Sequence, residues 1–353
     1  MAQIVKALLP IRHAQQDLFI CDLFDVWKDD MGSMEHPVFS LSTKPDKRRR
    51  KYEHNGNTVE IVPSDYGLAT IHDKDVLLYL VSHIMQDLND KQKEANKSGK
   101  KEIEAPPKSL RFTAYDMLVL TNRTTNNLGY ERLEAALDRL SGTRIKTDIA
   151  TGGKRITKNF GIIDSFEIVR EIRGDPNSRM VGVEVDLSDW FYNALLGQEV
   201  LTISENYFRL RKPIERRLYE LCRKHCGHQR RWEIWLKLLL KKTGSAMPIR
   251  DFRRKIKVIV ESDHMPDYHL AFDEYERDKL VVKPRKAPAN DMVQNGPYLK
   301  TQTFENAERI LKPHGLDKYA VQSEWVEWMK GREAPANPDG AFIGFCKMKI
   351  ASL

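Results

Sequence analysis

Two stretches of this chain repeat one order of structural signals while sharing almost no residues. In the first, an apolar stripe at helical spacing runs from Asp73 through Val76, Leu77, Leu80, Val81, Ile84, Met85 and Leu88 and predicts a helix. The polar residues 89–101 are expected to end it, and Pro106-Pro107 closes the loop that follows. Leu110-Arg111-Phe112 reads as a strand, and Thr113 as the cap of a short helix over 114–120. A polar turn over 121–127 leads to a second helix, 130–140, with Leu133, Leu137 and Leu140 on one face. Strand-like segments at 144–149 and 159–172 flank a basic loop at Gly152-Gly153, and 181–186 with a helix at 188–195 bridges to the second stretch.

There the order returns. A helix with proline at its start covers 213–226, followed by a strand at 232–235 and a short helix at 236–243 that Gly244 stops. After a turn at 245–247 comes a helix over 248–260, then a hairpin from 268–272 and 279–284. Helix, strand, helix, turn, helix and hairpin is the order of a winged helix, whose last helix projects into a groove. The expected fold is therefore α+β, with two tandem winged-helix domains at 65–198 and 199–285. A β-rich lead-in (1–64) precedes them, where Asn55-Gly56 between two alternating runs signals a hairpin. A Pro-, Ala- and Asn-rich linker (286–297) and a small helical module (298–353) follow.

The helix over 248–260 carries the clearest chemistry. Ile249, Phe252, Ile256 and Ile259 recur at helical spacing and should face the core, while Arg250, Arg253, Arg254 and Lys257 recur on a neighbouring face. Arginine can hold guanine through two N–H groups, whereas lysine mostly finds phosphate. Residues 213–257 hold 14 Lys and Arg against 4 Asp and Glu, a surplus of +10 beside a net charge of +8 for the whole chain. The expected partner is double-stranded DNA. Lys241 and Lys242 join the candidate contacts, as do Arg132 and Arg139 on the first-half helix and Lys154 and Arg155 in its basic loop. Glu131, Glu134 and Asp138 dilute the charge of that first-half helix, which suits mixed use as a DNA and protein surface. The basic run Lys47-Arg48-Arg49-Arg50-Lys51 fits a solvated loop and a phosphate contact equally well.

Other chemistry finds no support. No G-x-x-x-x-G-K-[ST] loop is present to cradle a nucleotide, and no histidine pair of the kind that binds metal in rolling-circle nicking enzymes. Cys222 and Cys226 invite a zinc reading with His225 and His228, but Cys222 continues the stripe of Leu218 and Leu221, so packing is preferred. The expectation is a protein without catalytic residues, metal or cofactor. Four cysteines and no apolar leader point to a reducing, cytoplasmic setting without a membrane span.

Three strings carry a resemblance: EHPVFSLSTKPDKRRRKYEHNGNTVEIVPSDYGLATIHDKDVLLYLVSHIM, FTAYDMLVLTNRTTNNLGYERLEAALDRLSGTRIKT and LLLKKTGSAMPIRDFRRKIKVI. From about residue 12 to 283 the chain resembles the bacterial replication initiator protein A family. The resemblance implies a tandem winged-helix plasmid initiator that binds repeated origin sites. It further implies origin melting with the host initiator, loading of the replicative helicase, and homodimers that repress their own promoter while monomers initiate. A transcriptional repressor with the same DNA-binding parts is the competing reading.

Overall fold

The computed structural model describes residues 8–13, 26–54, 57–98, 104–151, 154–171, 179–197, 200–227, 229–285, 297, 299–314, 316, 318–329 and 335–351. The fold is mixed α+β. Strand β1 (Lys28–Asp30) and the short helix α1 (Met31–Glu35) lead to the hairpin β2 (Arg50–His54) and β3 (Asn57–Val62). The expected turn at Asn55-Gly56 lies outside the described residues, but the strands on either side pair antiparallel. Residues 37–42 contribute only a bridge between Ser40 and Thr70.

Helix α2 (Lys74–Ser98) opens where expected, with the Asp73 carboxylate accepting from the Thr70 N–H at 2.7 Å. It runs on through the polar residues that were expected to end it. Lys91 reaches Asp87 at 2.9 Å and Lys93 reaches Asp90 at 3.0 Å, so helical-spacing ion pairs among good helix formers sustain the extra turns. After β4 (Ser109–Phe112), Thr113 caps α3 (Ala114–Leu120), its hydroxyl accepting from the Asp116 N–H at 3.1 Å. Asn126 caps α4 (Asn127–Gly142) in the same way through the Gly129 N–H at 3.2 Å. A Cβ on Gly129 would sit 1.8 Å from the Thr124 carbonyl oxygen, so this tight turn requires glycine.

The single strand expected over 159–172 is two strands in different sheets. Strands β5 (Arg144–Thr151) and β6 (Lys154–Gly161) extend the lead-in hairpin into one sheet ordered β2-β3-β5-β6. Strands β7 (Ile163–Glu171) and β8 (Arg179–Leu187) instead join β4 in the order β4-β8-β7. The chain switches sheets at Gly161, where a Cβ would meet the Ile163 carbonyl oxygen at 2.6 Å.

Helix α5 (Asp189–Leu196) and β9 (Val200–Thr202) lead to a 3-10 turn, Glu205–Arg209, and to α6 (Pro213–His225). Strand β9 returns to pair with β1. Then come β10 (Trp232–Trp235), α7 (Leu236–Thr243), α8 (Ile249–Ser262), β11 (Tyr268–Phe272) and β12 (Lys279–Pro284), with the sheet ordered β10-β12-β11. One continuous apolar core runs from Trp27 to Val282 and takes in both halves. A second, smaller core joins α9 (Thr301–Leu311), α10 (Lys318–Met329) and α11 (Pro338–Ala351) around Trp325, Phe342 and Cys346.

A buried ionic network crosses between the halves. Lys74, wholly buried, donates to Asp29 at 2.8 Å and to Glu220 at 3.0 Å. Glu220 also takes Arg217 at 3.0 Å and the Tyr207 hydroxyl at 2.9 Å. Asp75 takes Arg216 at 2.5 Å and Arg123 at 2.8 Å. Each buried charge is met by an opposite one, without which its desolvation would oppose folding.

Candidate nucleic-acid interface

Helix α8 owes its placement to three residues. Phe252, Ile256 and Ile259 are buried, whereas Ile249, expected in the core, is 38% exposed at the first turn. The helix ends at Asp263, whose positive φ of 42° stops it. Arg250, Arg254, Lys255 and Lys257 are thereby left exposed on the outer side. Arg254 has Asp251 at 3.3 Å and Lys257 has Glu261 at 3.6 Å, both solvent-exposed pairs that hold side chains weakly. Arg253 is differently engaged: it grips Asp278, in the turn between β11 and β12, at 2.9 and 2.6 Å.

That turn and the end of β10 each add an aromatic side chain to the surface that the sequence alone did not single out. Tyr275 stands 91% exposed at the tip, above a turn in which Asp273 accepts from the Tyr275 and Glu276 N–H groups at 3.0 and 3.1 Å. Trp235, at the end of β10, is 48% exposed, and the Lys279 ammonium lies 5.7 Å from its ring centre. An aromatic residue in a hairpin turn beside Arg277 was the available signal.

Not all of the positive surplus of residues 213–257 faces solvent. Arg216 and Arg217 are buried with carboxylate partners, and Lys224 is buried near Glu35 at 3.6 Å. Lys241 is exposed, but Lys242 reaches Glu35 at 2.7 Å. Burial alone would raise the Glu35 carboxyl, yet His225, Lys224 and Lys242 beside it hold it well below the ordinary range. The turn before α8 is set by Gly244, at φ 69°, where a Cβ would lie 2.6 Å from the Pro37 side chain.

In the first half Arg139 is held by Asp73 through two bonds of 2.7 Å, while Arg132 is exposed. Glu134 pairs with Arg170 at 2.6 Å. Lys154 and Arg155 belong to β6, but their side chains and the neighbouring Gly152 and Gly153 lie outside the described residues. In the basic run, Arg48 and Arg50 converge on buried Asp46 at 2.9 and 2.6 Å, and their hydrogen bonds hold its carboxyl far below the ordinary range. Cys222 and Cys226 are buried in the main core, and burial pushes the Cys226 thiol up to about 12. Among the described residues no helix is long and apolar enough to cross a membrane.

Known proteins resemble this chain in sequence and in fold. A protein of Wigglesworthia glossinidia brevipalpis, provisionally named as a replication protein, is 38% identical over 274 residues, covering 77% of this chain and 94% of its own. A crystal structure of domains 2 and 3 of RctB superposes with a TM-score of 0.50 at 13% identity, over 72% of this chain and 98% of that one. The Pi initiator protein in complex with iteron DNA gives a weaker likeness, with a TM-score of 0.36 at 14% identity over 50% and 80% of the two chains. The family model for replication initiator protein A matches residues 28–270, more than half of the chain. The chain belongs to the replication initiator protein A family.

Proposed function

We propose that this protein is a plasmid replication initiator whose two halves act as tandem winged-helix units on repeated duplex sites at an origin. The observation that carries the reading is α8, anchored on one side by Phe252, Ile256 and Ile259 and open on the other through Arg250, Arg254, Lys255 and Lys257. Such a helix, braced against a hairpin, suits entry into a major groove, with Arg250 and Arg254 reading base edges and Lys257, Lys255 and Lys241 meeting phosphate. Tyr275 would lie along the adjacent backbone. Arg132, with Lys154 and Arg155, would supply the smaller first-half contact. Arg253, Lys242 and Arg139 serve mainly to brace those surfaces.

The protein would act in the cytoplasm by binding and opening DNA, without catalysis. The host initiator and replicative helicase are the expected protein partners, and a homodimer the form that represses its own promoter. Permanganate footprinting of an AT-rich flank beside directly repeated sites tests the reading. Reactive thymines are expected next to the bound repeats. Binding without any reactive thymine would leave the transcriptional repressor instead.

A further inference from the structure

We propose that the cleft between the two halves binds a small polyphosphate anion, of the class of pyrophosphate, tripolyphosphate or a nucleoside polyphosphate. The cleft encloses about 470 Å³, a volume in the range of small-ligand sites. Its walls come from the segment around Arg12, the loop holding Lys44, the turn between α3 and α4 with the near face of α4, and residues 208–211 ahead of α6.

The charge in this cleft is unbalanced. Arg123 and Arg216 share Asp75, and Arg139 is matched by Asp73. Four further cations, Arg12, Lys44, Arg132 and Arg211, line the same hollow, are exposed, and have no carboxylate partner among the described residues. Seven cations thus face two carboxylates. Ser42, Thr43, Asn122 and Thr124 add hydroxyl and amide groups. Guanidinium forks set around a confined space suit phosphoryl oxygens, which accept two N–H bonds from each.

The walls are already stitched together. The Leu9 N–H donates to the Arg209 carbonyl at 2.9 Å, and the Arg209 side chain returns to the Leu9 carbonyl at 2.8 Å. The Arg12 N–H donates to the Asn122 side chain at 2.8 Å, which donates back to the Pro10 carbonyl at 3.1 Å. An anion held between Arg12, Arg132 and Arg211 would clamp the N-terminal segment and both halves. A hollow of this volume admits a compact anion, and Arg132 is the one of its exposed cations that the origin-binding reading also uses. The site goes beyond the origin-binding reading and does not depend on it.

The test is calorimetric titration of the full chain with inorganic tripolyphosphate and with ATP at about 0.15 M salt, with thermal unfolding in parallel. Both ligands are expected to bind and to raise the unfolding midpoint. The double variant Arg132→Ser, Arg211→Ser removes two exposed side chains and should weaken binding at least tenfold, its fold checked by circular dichroism. Lys347→Ser, on α11, should change nothing. The proposal falls if sodium chloride of matched ionic strength gives the same stabilisation, or if the double variant binds as tightly as the parent. It also falls if neither polyphosphate binds while the double variant loses affinity for duplex DNA, for then the four cations seat backbone phosphates. Binding of repeated duplex sites by the parent and by Arg254→Ala, which lies outside the cleft, reports on the origin reading separately.

Discussion

Arg253 of α8 and Asp278 of the β11–β12 turn form a two-bond grip that ties the exposed basic helix to its hairpin. The Asp278 carbonyl oxygen also accepts from the Leu236 N–H at 2.8 Å, so the first turn of α7 is fastened at the same point. A guanidinium filled in this way is poorly placed to read a base. Arg254→Ala or Arg250→Ala is therefore expected to cost about 1–3 kcal/mol of site binding and to relax preference at one base position. Arg253→Ala should instead weaken all sequences to a similar degree. Binding to the repeat and to base-substituted repeats distinguishes the two, and loss of preference at a single base in Arg253→Ala would show that Arg253 leaves Asp278 on binding.

Lys257 projects from α8 with only a long, exposed contact to Glu261. Its replacement by alanine should reduce affinity alike for specific and random duplex and flatten the salt dependence by about one unit. An unchanged slope in filter binding from 50 to 200 mM salt would remove Lys257 from the phosphate contacts.

Much of the local structure was legible because local signals carry it: the Thr113 cap, the Gly244 stop and the strand pair ending at Pro284 each rest on a few neighbouring residues. What was not legible depends on residues far apart. Arg139, Arg216 and Lys242 look like surface cations in sequence, and nothing beside them announces Asp73, Asp75 or Glu35 as partners. The sheet switch at Gly161 was hidden because both segments read as strand and only Asn159 and Gly161 interrupt them, while the partners that differ lie far along the chain. The cleft beside Arg132 is likewise a product of assembly.

Arg139 and Arg132 lie on one helix but should behave differently. Arg139→Ala leaves the Asp73 carboxylate, only 4% exposed, with the Thr70 N–H but without its guanidinium, and is expected to lower stability by roughly 3 kcal/mol in denaturant unfolding. Arg132→Ala should unfold like the parent. Equal stability of the two variants would mean that solvent reaches Asp73.

Burial beside Arg216 and Arg123 holds His72 down to about 3, from an ordinary value of 6.5. The unfolded chain takes up this proton near pH 6.5, and the folded chain refuses it until about pH 3. Stability therefore falls as pH drops through that window, by about 1.4 kcal/mol per pH unit for this one group. Burial drives His83, held to about 4, in the same direction, and drives Asp29 in the opposite one. Comparing His72→Gln with the parent isolates the single residue: the variant's pH slope between 6 and 4 should be shallower by that amount. Parallel curves would contradict the assignment.

The 146 residues separating Lys74 from Glu220, and the pairing of β1 with β9, bear on how the protein is made. A ribosome adding about 5–20 residues per second leaves Lys74 without that partner for roughly 7 to 30 seconds. During that interval Lys74 has Asp29 alone, so the emerging first half is expected to stay partly open and accessible to chaperones until the second arrives. A fragment ending at residue 198 should be rapidly cut by protease, whereas one ending at 285 should resist; a resistant shorter fragment would mean that the first half closes alone. Birth in one piece is the cost of carrying a charge across the seam.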